Sequence, residues 1–125
     1  MTAVPAMSQT ISTGMMYDGQ EIRRTEGVTS LVMNGHKLEL QSDGNLCLKT
    51  VQNGHRWCVN DHIGANYQQV SKVVFQRGVL KVLDANGKQL WATRNVADPY
   101  AKLVITPQGK LQTTSSVGAL YWENP

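Results

Sequence analysis

The stretch Gln41-Ser42-Asp43-Gly44-Asn45-Leu46-Cys47-Leu48-Lys49 is followed eight residues later by Trp57. It joins a tight Asp-Gly turn to alternating polar and apolar residues, the period-two pattern of a half-buried strand. Gly44 precedes Trp57 by thirteen residues. Two further pairs repeat this interval, Gly78 with Trp91 and Gly109 with Trp122. The chain is therefore predicted to contain three copies of one small β-unit.

Turn residues divide each unit into short strands. In the first unit, residues 30–33 are a strand candidate, Asn34-Gly35 is a strong hairpin signal, and residues 37–41 alternate with Leu38 and Leu40 on one face. The other units repeat this design, with strand candidates at residues 73–75 and 103–105 and with Leu80, Val82 and Leu111 pointing inward. No segment shows a convincing amphipathic helix.

The spacing of the repeated residues favours a threefold arrangement. The glycines lie 34 and 31 residues apart, and the tryptophans have the same spacings. We expect three sheets around a pseudo-threefold axis, with the three tryptophans meeting near that axis. The alternative is an ordinary β-sandwich whose tryptophans are unrelated core residues. Residues 1–10 are expected to form a loose N-terminal segment and residues 11–125 a single domain.

Composition narrows the class of protein. A chain of 125 residues with 41% hydrophobic and 17% charged residues is typical of one soluble globular domain. The net charge of +3 is mild and its basic residues are dispersed, so nucleic acid is not an expected partner. No apolar run is long enough for a membrane span. The start of the chain has no recognisable signal peptide, so we expect that the protein stays in the cytoplasm, that a precursor segment is missing, or that export follows a non-classical route.

The opening stretch also resembles a known motif. Gln41-x-Asp43-x-Asn45-x-Cys47-x-Lys49 is similar to the Gln-x-Asp-x-Asn-x-Val-x-Tyr motif of the bulb-type (monocot) mannose-binding lectins. Residues 11–14, 19–20 and 84–93 resemble other parts of that family, so the likeness extends over residues 11–122. It implies an all-β, β-prism II fold of three four-stranded antiparallel sheets.

The resemblance further implies a non-catalytic, mannose-binding lectin with one site in the first unit. Gln41, Asp43 and Asn45 match the residues that hydrogen-bond the sugar in that family. Cys47 replaces the valine and keeps a small apolar surface. Lys49 replaces the tyrosine; an ammonium group donates hydrogen bonds but cannot accept them, which lowers specificity.

The corresponding positions of the other units do not keep the motif. A constant offset assigns Phe75, Arg77, Val79, Lys81 and Leu83 to the second unit, and Thr106, Gln108, Lys110, Gln112 and Thr114 to the third. Both sites are therefore expected to be degenerate. Each unit carries a cation at these positions, which indicates either anionic ligands or, as we favour, solvated charge on an exposed strand.

The two cysteines are predicted to face each other. If the first unit folds like the second, with Val82 opposite Trp91, then Leu48 lies opposite Trp57 and Cys47 opposite Cys58. A disulfide is geometrically feasible there, and two free thiols are the alternative. The three histidines have no metal-ligand spacing and are expected at the surface or in turns: His36, His55 and His62. No cofactor is expected.

Catalysis is not expected, because Asp43 lacks a partner acid. Besides a mannose-type lectin, the sequence is consistent with a scaffold or protein-interaction module that has the lectin fold without sugar binding, or with a lectin-like antibacterial protein. The resemblance also implies a homodimer formed by exchange of C-terminal strands, although only three residues follow Trp122.

Overall fold

The computed structural model describes residues 15–24, 29–52 and 54–125. This part of the chain consists mainly of short strands: β1 (Met15–Tyr17), β2 (Glu21–Arg23), β3 (Thr29–Met33), β4 (His36–Leu40), β5 (Leu46–Thr50), β6 (His55–Cys58), β7 (Val70–Gln76), β8 (Val79–Asp84), β9 (Gln89–Ala92), β10 (Lys102–Ile105), β11 (Leu111–Thr114) and β12 (Leu120–Glu123). Between β6 and β7 lie a short helix, α1 (Asn60–Ile63), and a 3-10 helix (Gly64–Gln69).

In the described ranges the strands form three four-stranded antiparallel sheets. Sheet 1 has the order β3-β4-β5-β6, sheet 2 the order β2-β7-β8-β9, and sheet 3 the order β1-β10-β11-β12. Each of the first three strands thus enters a different sheet, and β1 pairs with β10 near the other end of the chain. This is the β-prism II arrangement, as the resemblance implied. Residues 1–10, expected to be loose, and residues 11–14, which resemble the lectin family, lie outside the described residues.

Alternation of apolar residues directs one face of every sheet toward a common core. In sheet 1, Leu38 pairs with Leu48 and Leu40 with Leu46, and all four are at most 2% exposed. The other sheets add residues of the same kind: Met16, Ile22, Val73, Phe75, Leu80, Val82, Leu103, Ile105 and Leu111. Burial of this apolar surface is the main favourable contribution to folding.

The three tryptophans contact one another, as predicted. Ring centroids are 5.5 Å apart for Trp57 and Trp91, 5.6 Å for Trp91 and Trp122, and 6.1 Å for Trp57 and Trp122. The rings are tilted or edge-to-face, the arrangements that aromatic quadrupoles favour. One residue comes from each sheet, so the cluster joins all three, and the sandwich alternative is wrong.

One histidine, His36, differs from the sequence-based expectation, whereas His62 is exposed as expected. His36 is 7% exposed and was wrongly expected at the surface or in a turn, because it continues the inward positions of Leu38 and Leu40 on β4. His62 lies on α1, where its Nε2 accepts a hydrogen bond from Trp57 Nε1 at 3.0 Å and its ring stacks on Trp91. Helix α1 has four residues, too few for the periodicity that identifies a helix in a sequence.

No helix in the described ranges is both long and apolar enough to cross a membrane.

Candidate functional site

The turn between β4 and β5 positions the first three residues of the motif. Gln41 N donates to Asn45 O at 3.0 Å, and Gly44 N donates to Gln41 O at 2.9 Å. Asp43 is exposed at the tip, where its Oδ1 accepts a hydrogen bond from Asn45 N at 2.9 Å. This side-chain bond is characteristic of Asx turns and holds the carboxylate in one orientation.

The two amides on either side of Asp43 are less exposed. Asn45 is 8% exposed, and its Oδ1 accepts a hydrogen bond from Asn60 N at 3.2 Å. The bond connects the turn to the start of α1. Gln41 is half-buried, and its Oε1 is shielded from solvent without a hydrogen-bond partner in the described part of the protein. A buried acceptor in this state is a group that a ligand hydroxyl can satisfy once the side chain rotates.

Cys47 lies on β5, two positions beyond Asn45. It is fully buried, pairs with Glu39 on β4, and forms a disulfide with Cys58 on β6. The register places Leu48 opposite Trp57 and Cys47 opposite Cys58. Because Cys47 is fully buried, position 47 offers no exposed apolar surface to a sugar.

Lys49 forms an ion pair with Glu39, a residue that is not part of the motif. It is 8% exposed, and its Nζ donates to Glu39 Oε1 at 2.8 Å, while Lys37 Nζ lies 3.6 Å from Glu39 Oε2. Burial raises the pKa of Glu39, but the hydrogen bond and charge of Lys49, together with Lys37, outweigh it and bring the pKa below its usual value. Glu39 is therefore ionised at neutral pH, and Lys49 is not a free cation.

The alternation along β4 is the sequence feature that indicates Glu39 as an outward neighbour of the motif. Glu39 occupies an outward position on this strand, between the outward residues Lys37 and Gln41. What the sequence lacked was the register between β4 and β5, which pairs Glu39 with Cys47 and Lys37 with Lys49. The outward surface around the motif thus combines the Lys49–Glu39 ion pair with the disulfide.

The constant offset misassigned one position of sheet 2. Phe75 is fully buried and pairs with Leu80, and Gln76 precedes the turn and pairs with Val79. Arg77 and Gly78 form a two-residue turn, both with positive φ. The turn between β4 and β5 has three residues between Gln41 and Asn45. The turn between β7 and β8 has one residue fewer, so the alignment of the two units shifts by one residue. Gln76, not Phe75, is the outward residue that corresponds to Gln41.

In sheet 3 the corresponding side chains bond within the protein. The turn matches the first one, since Thr106 N donates to Lys110 O at 2.8 Å and Gly109 N to Thr106 O at 2.9 Å. Lys110 Nζ, however, contacts Asn124 O at 3.4 Å, and Gln112 Nε2 donates to Glu123 Oε2 at 2.7 Å. Lys49 and Lys110 are thus both engaged internally, which disfavours anionic ligands at these two positions.

Three four-stranded sheets around a tryptophan cluster define a β-prism II protein, and this is a lectin fold. A Japanese Marasmius oreades lectin aligns with a TM-score of 0.76 and 20% identity over 93% of each chain. A monomeric mannose-binding lectin from Gastrodia elata aligns with a TM-score of 0.70 and 18% identity, over 88% of this chain and 94% of its own. Snowdrop (Galanthus nivalis) agglutinin, complexed with methyl-α-D-mannoside, aligns with a TM-score of 0.63 and 17% identity, over 82% and 89%.

Such similarity confirms the expected resemblance at the level of the fold. No protein-family model matches the chain, and no curated protein matches it.

The disulfide between Cys47 and Cys58 is expected to stabilise the fold. It closes a short loop, since Cys47 and Cys58 are 11 positions apart, and restriction of the unfolded chain by such a loop stabilises the fold by about 3 kcal/mol. Adding dithiothreitol to the wild-type protein is expected to lower the free energy of unfolding by that amount, measured in guanidinium chloride. The Cys47→Ala/Cys58→Ala protein serves as control and should not respond to the reductant. Equal wild-type stability with and without reductant would contradict this expectation.

Proposed function

We propose that this protein is a non-catalytic, mannose-type lectin with its sugar site on sheet 1. Gln41, Asp43 and Asn45 bind the sugar hydroxyls, and Cys47 and Lys49 form the base of the site. The observation that carries the proposal is the exposed Asp43 carboxylate, held by its bond to Asn45 N and flanked by two amides. The shared fold with a lectin that was crystallised with a mannoside supports it.

The chemistry of these groups suits a sugar with defined hydroxyl directions. An ionised carboxylate only accepts hydrogen bonds, whereas each amide has both a donor and an acceptor. A fixed acceptor between two mixed groups distinguishes epimers, because a misdirected hydroxyl leaves a polar group of the site unpaired. Hydrogen bonds to the charged Asp43 contribute more than bonds between neutral groups.

The base of the site differs from the related motif in a way that weakens binding. The disulfide removes the apolar contact expected at Cys47, and Glu39 engages Lys49. The remaining Nζ protons of Lys49 and the oxygens of Glu39 supply donors and acceptors together, as a tyrosine hydroxyl does alone. We therefore expect a monosaccharide affinity of about 1 mM, at which multivalent presentation is needed for strong attachment.

The same observations favour a second candidate, a lectin-fold scaffold or interaction module without sugar binding. Cys47 is fully buried, Lys49 is bonded to Glu39, and Gln41 Oε1 is shielded from solvent. If these side chains do not rearrange, neither Cys47 nor the side-chain carbonyl oxygen of Gln41 is presented to a ligand.

The homodimer is also part of the proposal. β12 already pairs with β11 of its own chain, so sheet 3 has four strands without a partner. Exchange would have to release β12 and its backbone hydrogen bonds.

The test is a titration with methyl-α-D-mannoside, followed by the amide signals of residues 41–49 in NMR. Asp43→Asn keeps an oxygen for the Asn45 N–H group but removes the charge, so we expect the dissociation constant to rise at least about tenfold, or about 1.4 kcal/mol. Asp84→Asn is the matched control, because Asp84 Oδ1 accepts from Asn86 N at 2.9 Å in a turn of sheet 2. Absence of any wild-type response, in oxidising and reducing buffer alike, would support the scaffold instead.

A further inference from the structure

A shallow cleft of about 340 Å³ lies beside the candidate site, between β6 and α1. Asn45 forms part of its wall, as do Arg56, Trp57, Asn60 and Asp61. Its volume is at the lower end of the range of about 300–1,000 Å³ that small-molecule sites occupy. The cleft is therefore large enough for a small polar ligand.

Asn45 belongs to both the candidate site and the cleft. Its backbone N–H binds Asp43 Oδ1, and its side-chain Oδ1 accepts from Asn60 N. The turn that presents Asp43 and the helix that bounds the cleft are thus joined through one residue. The candidate site and the cleft therefore share Asn45 as a common border.

The charged side chains of the cleft suit a neutral, hydroxyl-rich ligand. Arg56 provides hydrogen-bond donors and Asp61 acceptors, and in the described ranges neither forms an ion pair. Their charges cancel, which gives no net attraction for an anion. The side chain of Arg56 is exposed and passes close to Gly109, since its Nε lies 2.9 Å from where a Cβ atom at Gly109 would be.

We infer that this cleft is a second sugar subsite, in which Arg56, Asn60 and Asp61 bind the pyranose linked to the one at Asp43. The inference rests on the proposed function and extends it: the ligand is an oligosaccharide of at least two residues. Asn60 and Asp61 lie at the start of helix α1, and we expect the subsite to accept one linkage better than the others.

The experiment compares methyl-α-D-mannoside with the α1-2, α1-3 and α1-6 mannobioses as ligands of the intact protein, by NMR titration. We expect at least one disaccharide to bind about tenfold more tightly than the monosaccharide and to shift the amide signals of Asn60 and Asp61. In Asp61→Asn and Arg56→Gln, the ratio of the two affinities should fall toward one. Arg94→Gln, an exposed arginine after β9, is the control for loss of a surface charge.

The possible outcomes separate the two proposals. If the monosaccharide binds but every disaccharide binds equally well, and both cleft variants keep that ratio, the subsite is overturned and the lectin proposal stands. If no sugar binds the wild-type protein, both are overturned. Thermal unfolding of each variant identifies loss of fold, and Asp61→Asn provides an independent test if Arg56→Gln is destabilised by its contact with Gly109.

Discussion

Replacing Trp57 with alanine is expected to lower the free energy of unfolding by about 3–5 kcal/mol. Trp57 is 5% exposed and contacts both Trp91 and Trp122. Its removal opens a cavity where the three sheets meet, and neighbours belonging to different sheets cannot close it without moving a whole sheet. Since domains of this kind are stable by about 5–15 kcal/mol, the change removes a large part of the total.

Two milder substitutions separate the contributions of Trp57. Trp57→Phe keeps an aromatic ring in the cluster but loses the bond from Nε1 to His62 Nε2. His62→Ala loses the same bond while the indole stays. Both are expected to cost about 1–2 kcal/mol, measured by equilibrium unfolding in guanidinium chloride. If Trp57→Ala were no more destabilising than His62→Ala, the tryptophan cluster would not be the centre of the fold.

Gly44→Ala is expected to destabilise the protein by about 2–5 kcal/mol. Gly44 has a φ of +96°, and a Cβ atom there would lie 2.4 Å from the backbone oxygen of Tyr67. The positive φ costs a residue with a side chain about 1–2 kcal/mol, and overpacking adds about 1–3 kcal/mol. Arg24 holds this region in place, because its guanidinium group donates to Ser42 O and to Val70 O, each at 3.0 Å.

Gly87→Ala provides the matched control for that prediction. Gly87 has a φ of +83°, but nothing lies within 4 Å of a Cβ atom there. It should therefore show only the conformational cost of about 1–2 kcal/mol. Equal losses in the two variants, measured by guanidinium chloride unfolding, would mean that the contact between Gly44 and Tyr67 does not constrain the fold.

Local pattern was sufficient to predict much of this architecture. The alternation of Leu38, Leu40, Leu46 and Leu48 specifies which face of sheet 1 is buried, because successive side chains of a strand point to opposite sides. The interval from each turn glycine to a tryptophan predicted the tryptophan cluster correctly, since each tryptophan lies on the last strand of its sheet. The 34-residue offset between the first two units also paired Cys47 with Cys58 correctly.

The assignment failed where it depended on turn length. One residue fewer in the turn at Arg77 and Gly78 shifts the register, so that Phe75 faces the core and Gln76 the outside. A constant offset cannot detect such a shift. For His36, the alternation along β4 indicates burial, because His36 lies two positions before the inward Leu38.

By itself, the sequence determined most of the strands, their inward faces and the contact among the three tryptophans. These features depend on neighbours along the chain and on the periodicity of a strand. Only the tertiary structure decided what surrounds the candidate site residues. Glu39 accepts a hydrogen bond from Lys49, and Asn60 at the start of α1 donates one to Asn45. The cleft lined by Arg56 and Asp61 lies beside the turn. Such contacts depend on strand register and on the path of residues 59–70, and neither leaves a periodic pattern in the sequence.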